Sequence, residues 1–376
     1  MKPRSGSKLL ILLFAAIALI VASCASSDSD GGGSDGGGGS GSPAAAAATC
    51  QGKTGEKQTT PDLGGSNDPD GKGKKIGLVF DIGGKDDKSF NQSAYEGLIA
   101  AEKNMGVTGT ALEPTADGSN REALLRQLAE DGNGLVIGVG FNFADAMKLV
   151  AADYPKTNFA IIDSVVDQPN VASLTFAEEQ GSYLVGAIAA QSTKSDTVGF
   201  VGGVETALIK KFEAGYTAGV AKVNSKAKVD VKYLTPDGDF SGFNDSAKGQ
   251  TVAAGLYDAG ADVVFHAAGG SGAGVFKAAQ AADRLAIGVD SNQYYQVDAA
   301  QQKCMLSSML KRVDVAVYDT ISAYAGGTFK AGPQVFDLAN GGIDFSVAGG
   351  QIKDVDQINT LKQQIIDGTI KVPTKP

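Results

Sequence analysis

The stretch FDIGGKDDKSFNQSAYEG, Phe80 to Gly97, places two glycines, a Lys-Ser pair and the start of a helical pattern behind an apolar run. These are ingredients of a loop that cradles phosphate on backbone N–H groups. Such a loop needs Gly-Lys-Ser/Thr to close it, and here Asp87 stands where that glycine should be. Asp86 and Asp87 would also face the phosphates with negative charge. The loop is therefore not a phosphate loop. Its glycines let the backbone approach a neutral ligand. The groups that can touch such a ligand flank it: Asp81 before, Phe90 and Asn91 after. Asp86, Asp87 and Lys88 are expected to hold the turn and start the helix.

Other apolar runs end in the same chemistry. Phe141 and Asn142 follow GLVIGVG, and Asp163 follows NFAII. Phe240, Phe243, Asn244 and Asp245 follow KVDVKYL, Gly269 to Gly272 follow ADVVFHAA, and Asp290 to Gln293 follow LAIGV. Carboxylates accept hydrogen bonds from hydroxyls and N–H edges. Phenylalanines offer stacking faces in a chain without Trp, each stack contributing ~1–3 kcal/mol by analogy with base–aromatic contacts. Plainer roles stand beside these. An aspartate after a strand can cap the next helix, a phenylalanine at a helix start can be core, and the glycines can simply turn the chain.

Catalytic and metal chemistry find little support. His266 is the single histidine and reads as a satisfied core residue. No CxxC or second His accompanies it for zinc, and no GxSxG elbow for a Ser-His-Asp triad. No cofactor is implied. The net charge is −9 without a basic patch, which argues against nucleic acid.

The elements that must position these residues alternate. Strands are expected at 75–81, 134–140, 158–163, 171–176, 197–203, 228–234, 261–269, 285–290 and 304–310. Most are apolar on both faces, as parallel strands covered by helices are. Helices are expected at 89–104, 121–131, 143–154, 178–192, 206–223, 245–259, 272–282 and 313–325. The alternation means α/β architecture with doubly wound parallel sheets. Two lobes of this kind leave a cleft where strand C-terminal ends meet. The lobes are expected to comprise 74–176 plus 304–330, and 177–303 plus 331–376.

The start is different. Basic Met1 to Lys8 precedes apolar Leu9 to Ala22, too short to span a bilayer comfortably, and VASC ends the run at Cys24. This is a signal segment, 1–24. It resembles a bacterial lipobox, in which the cysteine is lipidated and becomes the first residue; plain cleavage near Ala25 is the alternative. Residues 25–73, rich in Gly and Ser, are expected to form a disordered tether, with a coil span of roughly 35–40 Å. Cys50 and Cys304 remain, and cysteines of an exported chain often pair. A bridge would pin the tether's end to the body.

FDIGGKDDKSFNQSAYEG, GVGFNFADA, GFVGGVETALIKKFEAGYTAGV, GFNDSAKGQ, VVFHAAGGSGAGV with IGVDSNQY, and SSMLKRVDVAV together resemble the basic membrane protein family, lipoproteins that act as nucleoside receptors of bacterial ABC transporters. The resemblance covers roughly Lys75 to Tyr324. It implies a type I periplasmic-binding-protein fold closing on a nucleoside, purine favoured. It also implies ABC permease and ATPase partners, a lipid anchor on the outer face of the cell membrane, a monomer, and no enzymatic activity. By the same resemblance Phe90 and Phe243 sandwich the base, with Phe240 the rival. Asp81 and Asn91 hydrogen-bond the ligand, Asp163 faces the base, and Asp290 with Lys311 grips the ribose.

Other readings stay open: the same fold on a sugar or signalling ligand, a nucleoside hydrolase using Asp81 or Asp86-Asp87, or a sensor or surface antigen.

Overall fold

The computed structural model describes residues 47–57 and 63–376. The signal segment, Cys24 and most of the Gly/Ser-rich run lie outside the described residues.

The first lobe begins with β1 (Lys75–Val79), α1 (Phe90–Met105), β2 (Thr108–Leu112), α2 (Arg121–Glu130), β3 (Leu135–Gly138), α3 (Ala144–Asp153), β4 (Asn158–Ile162) and β5 (Val171–Phe176). The chain then crosses to the second lobe. There α4 (Glu178–Ser192), β6 (Thr197–Val204), α5 (Ala207–Val223), β7 (Lys228–Thr235), α6 (Ser246–Asp258), β8 (Val263–Ala267), α7 (Gly272–Ala282), β9 (Leu285–Asp290), α8 (Ala299–Gln302) and β10 (Met305–Lys311) follow. It returns for α9 (Val313–Ala325) and β11 (Gly332–Phe336), then crosses again for β12 (Ile343–Phe345) and α10 (Val355–Ile366).

Each lobe carries a six-stranded sheet, ordered β11-β5-β4-β3-β1-β2 in the first and β12-β10-β9-β8-β6-β7 in the second. β12 pairs antiparallel with β10; the other pairs are parallel. The central strands are apolar on both faces and buried, because helices cover both sides.

Two lobe boundaries are corrected. β10 was expected with the first lobe, but it pairs with β9 in the second sheet. β11 was expected with the second lobe, but it pairs with β5 in the first. The crossover falls at Arg312, between β10 and α9, so Lys311 ends a strand of one lobe directly at the junction with the other.

The tether also ends earlier than expected. Residues 47–57 lie along the second lobe, where Cys50 is disulfide-bonded to Cys304. Gly52 N–H donates to Lys303 O at 2.9 Å, Lys53 N–H to Gly349 O at 3.0 Å, and Ala48 is 4% exposed. Beyond it, Asn104 donates to Leu63 O at 2.6 Å and Gly71 N–H to Met105 O at 2.8 Å. A polar segment of little apolar surface is ordered here through its backbone, which finds carbonyl partners on the body.

Helices α4 and α5 pack very closely in the second lobe. A Cβ on Gly186 would lie 2.2 Å from Tyr216 O, and one on Gly219 1.9 Å from Tyr183 O. Glycine at these positions allows backbone contact between the two helices.

Candidate functional site

The strand ends of the two lobes face each other across one cavity. Asp81, Phe90, Asn91, Asp163, Phe243, Asp290 and Lys311 all line it, and so do Asp87, Phe141 and Phe212. Phe240, the rival of Phe243, is absent from the lining; it packs edge-on against Phe141, with centroids 5.8 Å apart.

The loop after β1 is braced within its own lobe. Asp81 Oδ1 accepts from Arg121 Nη2 at 2.6 Å and from Ile82 N–H at 2.8 Å, and Oδ2 accepts from the Asn142 amide at 3.0 Å. Asn91 Oδ1 accepts Asp81 N–H at 2.8 Å, while its amide donates to Asp87 at 3.0 Å and Ile82 O at 3.3 Å. Asn91, expected to hold the ligand, lines the cavity, but both hydrogens of its amide and one acceptor position of its oxygen are engaged by the loop. Asp87 collects the N–H groups of Ser89, Asn91 and Gln92 at 2.9–3.1 Å, capping α1 from two residues before the Ser89 cap position. Burial nevertheless pushes its carboxyl up to about 6, against the pull of those three amides.

Asp163 and Asp290 sit at the ends of β4 and β9 with φ of +66° and +62°. Left-handed backbone at a non-glycine residue is strained, and such residues gather at binding sites. Lys311, 2% exposed, lies between them. Its Nζ is 2.6 Å from Asp163 Oδ2 and 3.5 Å from Glu178 Oε1. It also lies 5.0 Å from the Phe90 ring centroid, 4.9 Å from Phe176 and 5.8 Å from Phe212, within cation–π range. The expected Lys311–Asp290 pair is thus a Lys311–Asp163 pair: Asp163, just after β4, meets Lys311, the last residue of β10, across the lobe junction. Asp290 accepts from the Ser89 hydroxyl instead. Burial opposes the charge of Lys311, but Asp163, Glu178 and Asp290 together raise its pKa. Burial pushes the Asp163 and Asp290 carboxyls up, and Lys311 pulls both back down.

Arg121 and Glu178 were not foreseen. Arg121 opens α2, where a cation opposes the helix dipole; a misplaced charge of that kind signals a nearby carboxylate. Glu178 opens α4, where an acid is ordinary, and gave no such signal. It is 1% exposed and also pairs with Lys211 at 3.2 Å.

Asp163, which lines the cavity, has its Oδ1 buried without a hydrogen-bond partner among the described residues, so the cavity wall carries an unmet acceptor. Lys311 retains donor capacity beyond its bond to Asp163. The phenylalanines supply flat apolar surface from both lobes. The arrangement can hold a flat, uncharged ligand with several N–H or O–H donors, and it repels phosphate. Among the described residues no three His, Cys, Asp or Glu side chains are placed to hold a metal ion.

Comparison with known proteins identifies the family. The family model described as Bmp, ABC transporter substrate-binding protein PnrA-like, matches residues 74–376. A relative from Lactococcus lactis, named ABC transporter nucleoside-binding protein BmpA, is 38% identical and covers 80% of this chain and 89% of its own. The CD4+ T-cell-stimulating antigen of Listeria innocua is also 38% identical, covering 85% and 93%. Among solved structures, an ABC transporter solute-binding protein from Aeropyrum pernix superposes with a TM-score of 0.70 at 28% identity, covering 80% of this chain and 93% of that one. The two lobes form a type I periplasmic-binding-protein fold. The chain belongs to the Bmp family of PnrA-like ABC transporter substrate-binding proteins, which bind and do not catalyse.

Proposed function

We propose that this protein is the receptor of an ABC importer for a nucleoside, exported and anchored to the outer face of the cell membrane through lipidated Cys24. The carrying observation is the cavity itself: aromatic walls from both lobes and a carboxylate, Asp163, with unmet acceptor capacity, beside buried Lys311. A relative of 38% identity is named as nucleoside-binding, which supports the same ligand class. The base lies between Phe90 and Phe243. Its N–H edge meets Asp163, and the ribose hydroxyls meet Asp290 and Lys311. Asn91 and Arg121 hold Asp81 and the loop around it. Asp81, Asp163 and Asp290 disfavour a 5′-phosphate by like-charge repulsion. The protein acts as a monomer, delivering ligand to permease and ATPase subunits by lobe closure.

Isothermal titration of the chain from Ala25 to Pro376 tests this. Guanosine, adenosine, inosine, uridine and cytidine are compared with a nucleoside 5′-monophosphate and with glucose. Heat with at least one nucleoside, and at least tenfold weaker binding of its monophosphate, is expected. Absence of heat with every nucleoside, or tighter binding of glucose, refutes the assignment. Phe90→Ala is expected to weaken the best ligand by about 1–3 kcal/mol.

A further inference from the structure

The DDKS turn carries bonds that the ligand site does not account for. Lys88 and Ser89 belong to the loop after β1, in the first lobe. Asp290, Ser291, Gln293 and Gln296 follow β9, in the second. Gln293, 2% exposed, donates from its side-chain amide to Lys88 O at 2.8 Å. Ser89, fully buried, donates its hydroxyl to Asp290 Oδ2 at 2.5 Å. Ser291 donates its hydroxyl to Ser89 O at 3.1 Å, and Lys88 Nζ reaches Gln296 O at 3.3 Å. Every one of these bonds joins the two lobes.

The orientation of Gln293 is forced. Its amide oxygen accepts Val289 N–H at 2.8 Å and lies 3.1 Å from His266 Nε2. A flipped amide would set its NH2 against the Val289 donor. The oxygen must therefore face Val289 and His266, which leaves the NH2 aimed at Lys88. His266 donates from Nε2 to the amide oxygen, and burial, which lowers its pKa to about 4, keeps the ring neutral at neutral pH. The His266 ring is itself wedged in place, since a Cβ on Gly272 would lie 2.0 Å from it.

We propose that Ser89 and Gln293 are positioning residues of a latch between the lobes: Gln293 grips the Lys88 carbonyl and Ser89 orients the Asp290 carboxylate only on closure, so the latch governs how slowly ligand leaves. The Asp290 part of this rests on the nucleoside reading above. On this proposal encounter takes place with the lobes apart, which separates Lys88 and Ser89 from the residues after β9, so association is indifferent to these bonds. Dissociation requires lobe opening and must break them. A hydrogen bond to a charged group, lost alone, changes an equilibrium on the order of tenfold. Affinity changes of this kind fall mostly on the dissociation rate.

Stopped-flow fluorescence on the Ala25–Pro376 chain tests the latch with the best-binding nucleoside. Ser89→Ala is expected to raise the dissociation rate on the order of tenfold, Ser291→Ala a few-fold, and both to leave the association rate within twofold. Gln293→Ala also strips partners from Val289 and His266. Ser291→Ala, at the partly exposed rim, keeps the test open if that variant does not fold. Unchanged dissociation in both serine variants, or a loss confined to association, overturns the latch. Failure of wild type to bind any nucleoside refutes the ligand reading instead. The latch is then read from small-angle scattering of the unliganded protein, whose lobes exchange between open and closed and form these bonds in the closed fraction: more extended Ser89→Ala and Ser291→Ala variants support it, and profiles identical to wild type overturn it.

Discussion

Two acid–base pairs of equal length do different work in this molecule. Arg121 meets Asp81 at 2.6 Å, and Lys311 meets Asp163 at 2.6 Å. The first pair lies inside one lobe, with side chains 13% and 12% exposed; the second spans the lobe junction at 2% and 4%. Asp81 has other donors in Asn142 and Ile82. Asp163 has Lys311 on one oxygen and nothing on the other among the described residues. Distance alone therefore says little about an ion pair. What matters is how much water it has lost and how many other partners would remain if one side were removed.

The largest effect is expected at Lys311. Lys311→Met leaves Asp163, Glu178 and Asp290 near one another without their shared cation. Removing one partner of a buried pair costs about 3–5 kcal/mol, which lowers the unfolding midpoint by about 10 °C in a body of this size. Nucleoside binding should be lost as well. The pH dependence has a definite sign. Without Lys311 the Asp163 and Asp290 carboxyls rise further above their unfolded values, so the stability they carry is present at low pH and lost as pH rises through the folded-state values. The deficit relative to wild type should therefore shrink between pH 8 and pH 5. Thermal unfolding at both pH values checks this, and a midpoint within 2 °C of wild type at pH 8 would falsify the view that the junction pair is essential.

Arg121→Ala should do less. Asp81 keeps two donors and a partly wet edge, so the expected loss is about 1–2 kcal/mol, at the low end for a hydrogen bond to a charged group. Urea unfolding of both variants in parallel makes the comparison directly. If Arg121→Ala proves as damaging as Lys311→Met, burial and partner count are not what separates the two pairs.

The same distinction explains what was legible in the sequence. Residues at the ends of central strands were found because two-faced apolar runs mark those strands and the cleft lies at their ends. The strands that escaped are edges. β2 reads TGTAL and is half exposed, β11 reads GPQVF, with a proline that only an edge tolerates, and β12 is Ile343–Phe345 alone. An edge strand lacks the apolar run that betrays a central one. Missing β11 and β12 is why the last crossing was misassigned; β10 was found as a strand, but which sheet it joins is set by its pairing with β9. Asp163 and Lys311 were each recognised, but their partnership was not. It depends on Asp163 and Lys311 meeting across the lobe junction, a fact of topology that no local pattern carries. Asn91 shows the converse: a polar residue in the right place, whose amide hydrogens are taken up by the loop it stands in, a second role that the sequence did not show.

His266 sharpens the comparison from the side of a group that has no ion partner at all. It is fully buried, its Nε2 meets Gln293, and its Nδ1 has no partner among the described residues. Where Lys311 keeps its charge through carboxylates, His266 survives burial by giving its charge up: desolvation lowers its pKa to about 4. For a base with a depressed folded-state pKa, the stability is present above the unfolded value near 6.5 and is lost as pH falls toward 4. At neutral pH the effect is therefore nil, the smallest of the set. Because this is the chain's single histidine, its ring C–H resonance can be followed by NMR without assignment. A midpoint near 4, with unfolding made easier below pH 6, is expected. Titration near 6.5 would mean that the ring is reached by water and is not held in the dry packing beside Gln293 that the structure shows.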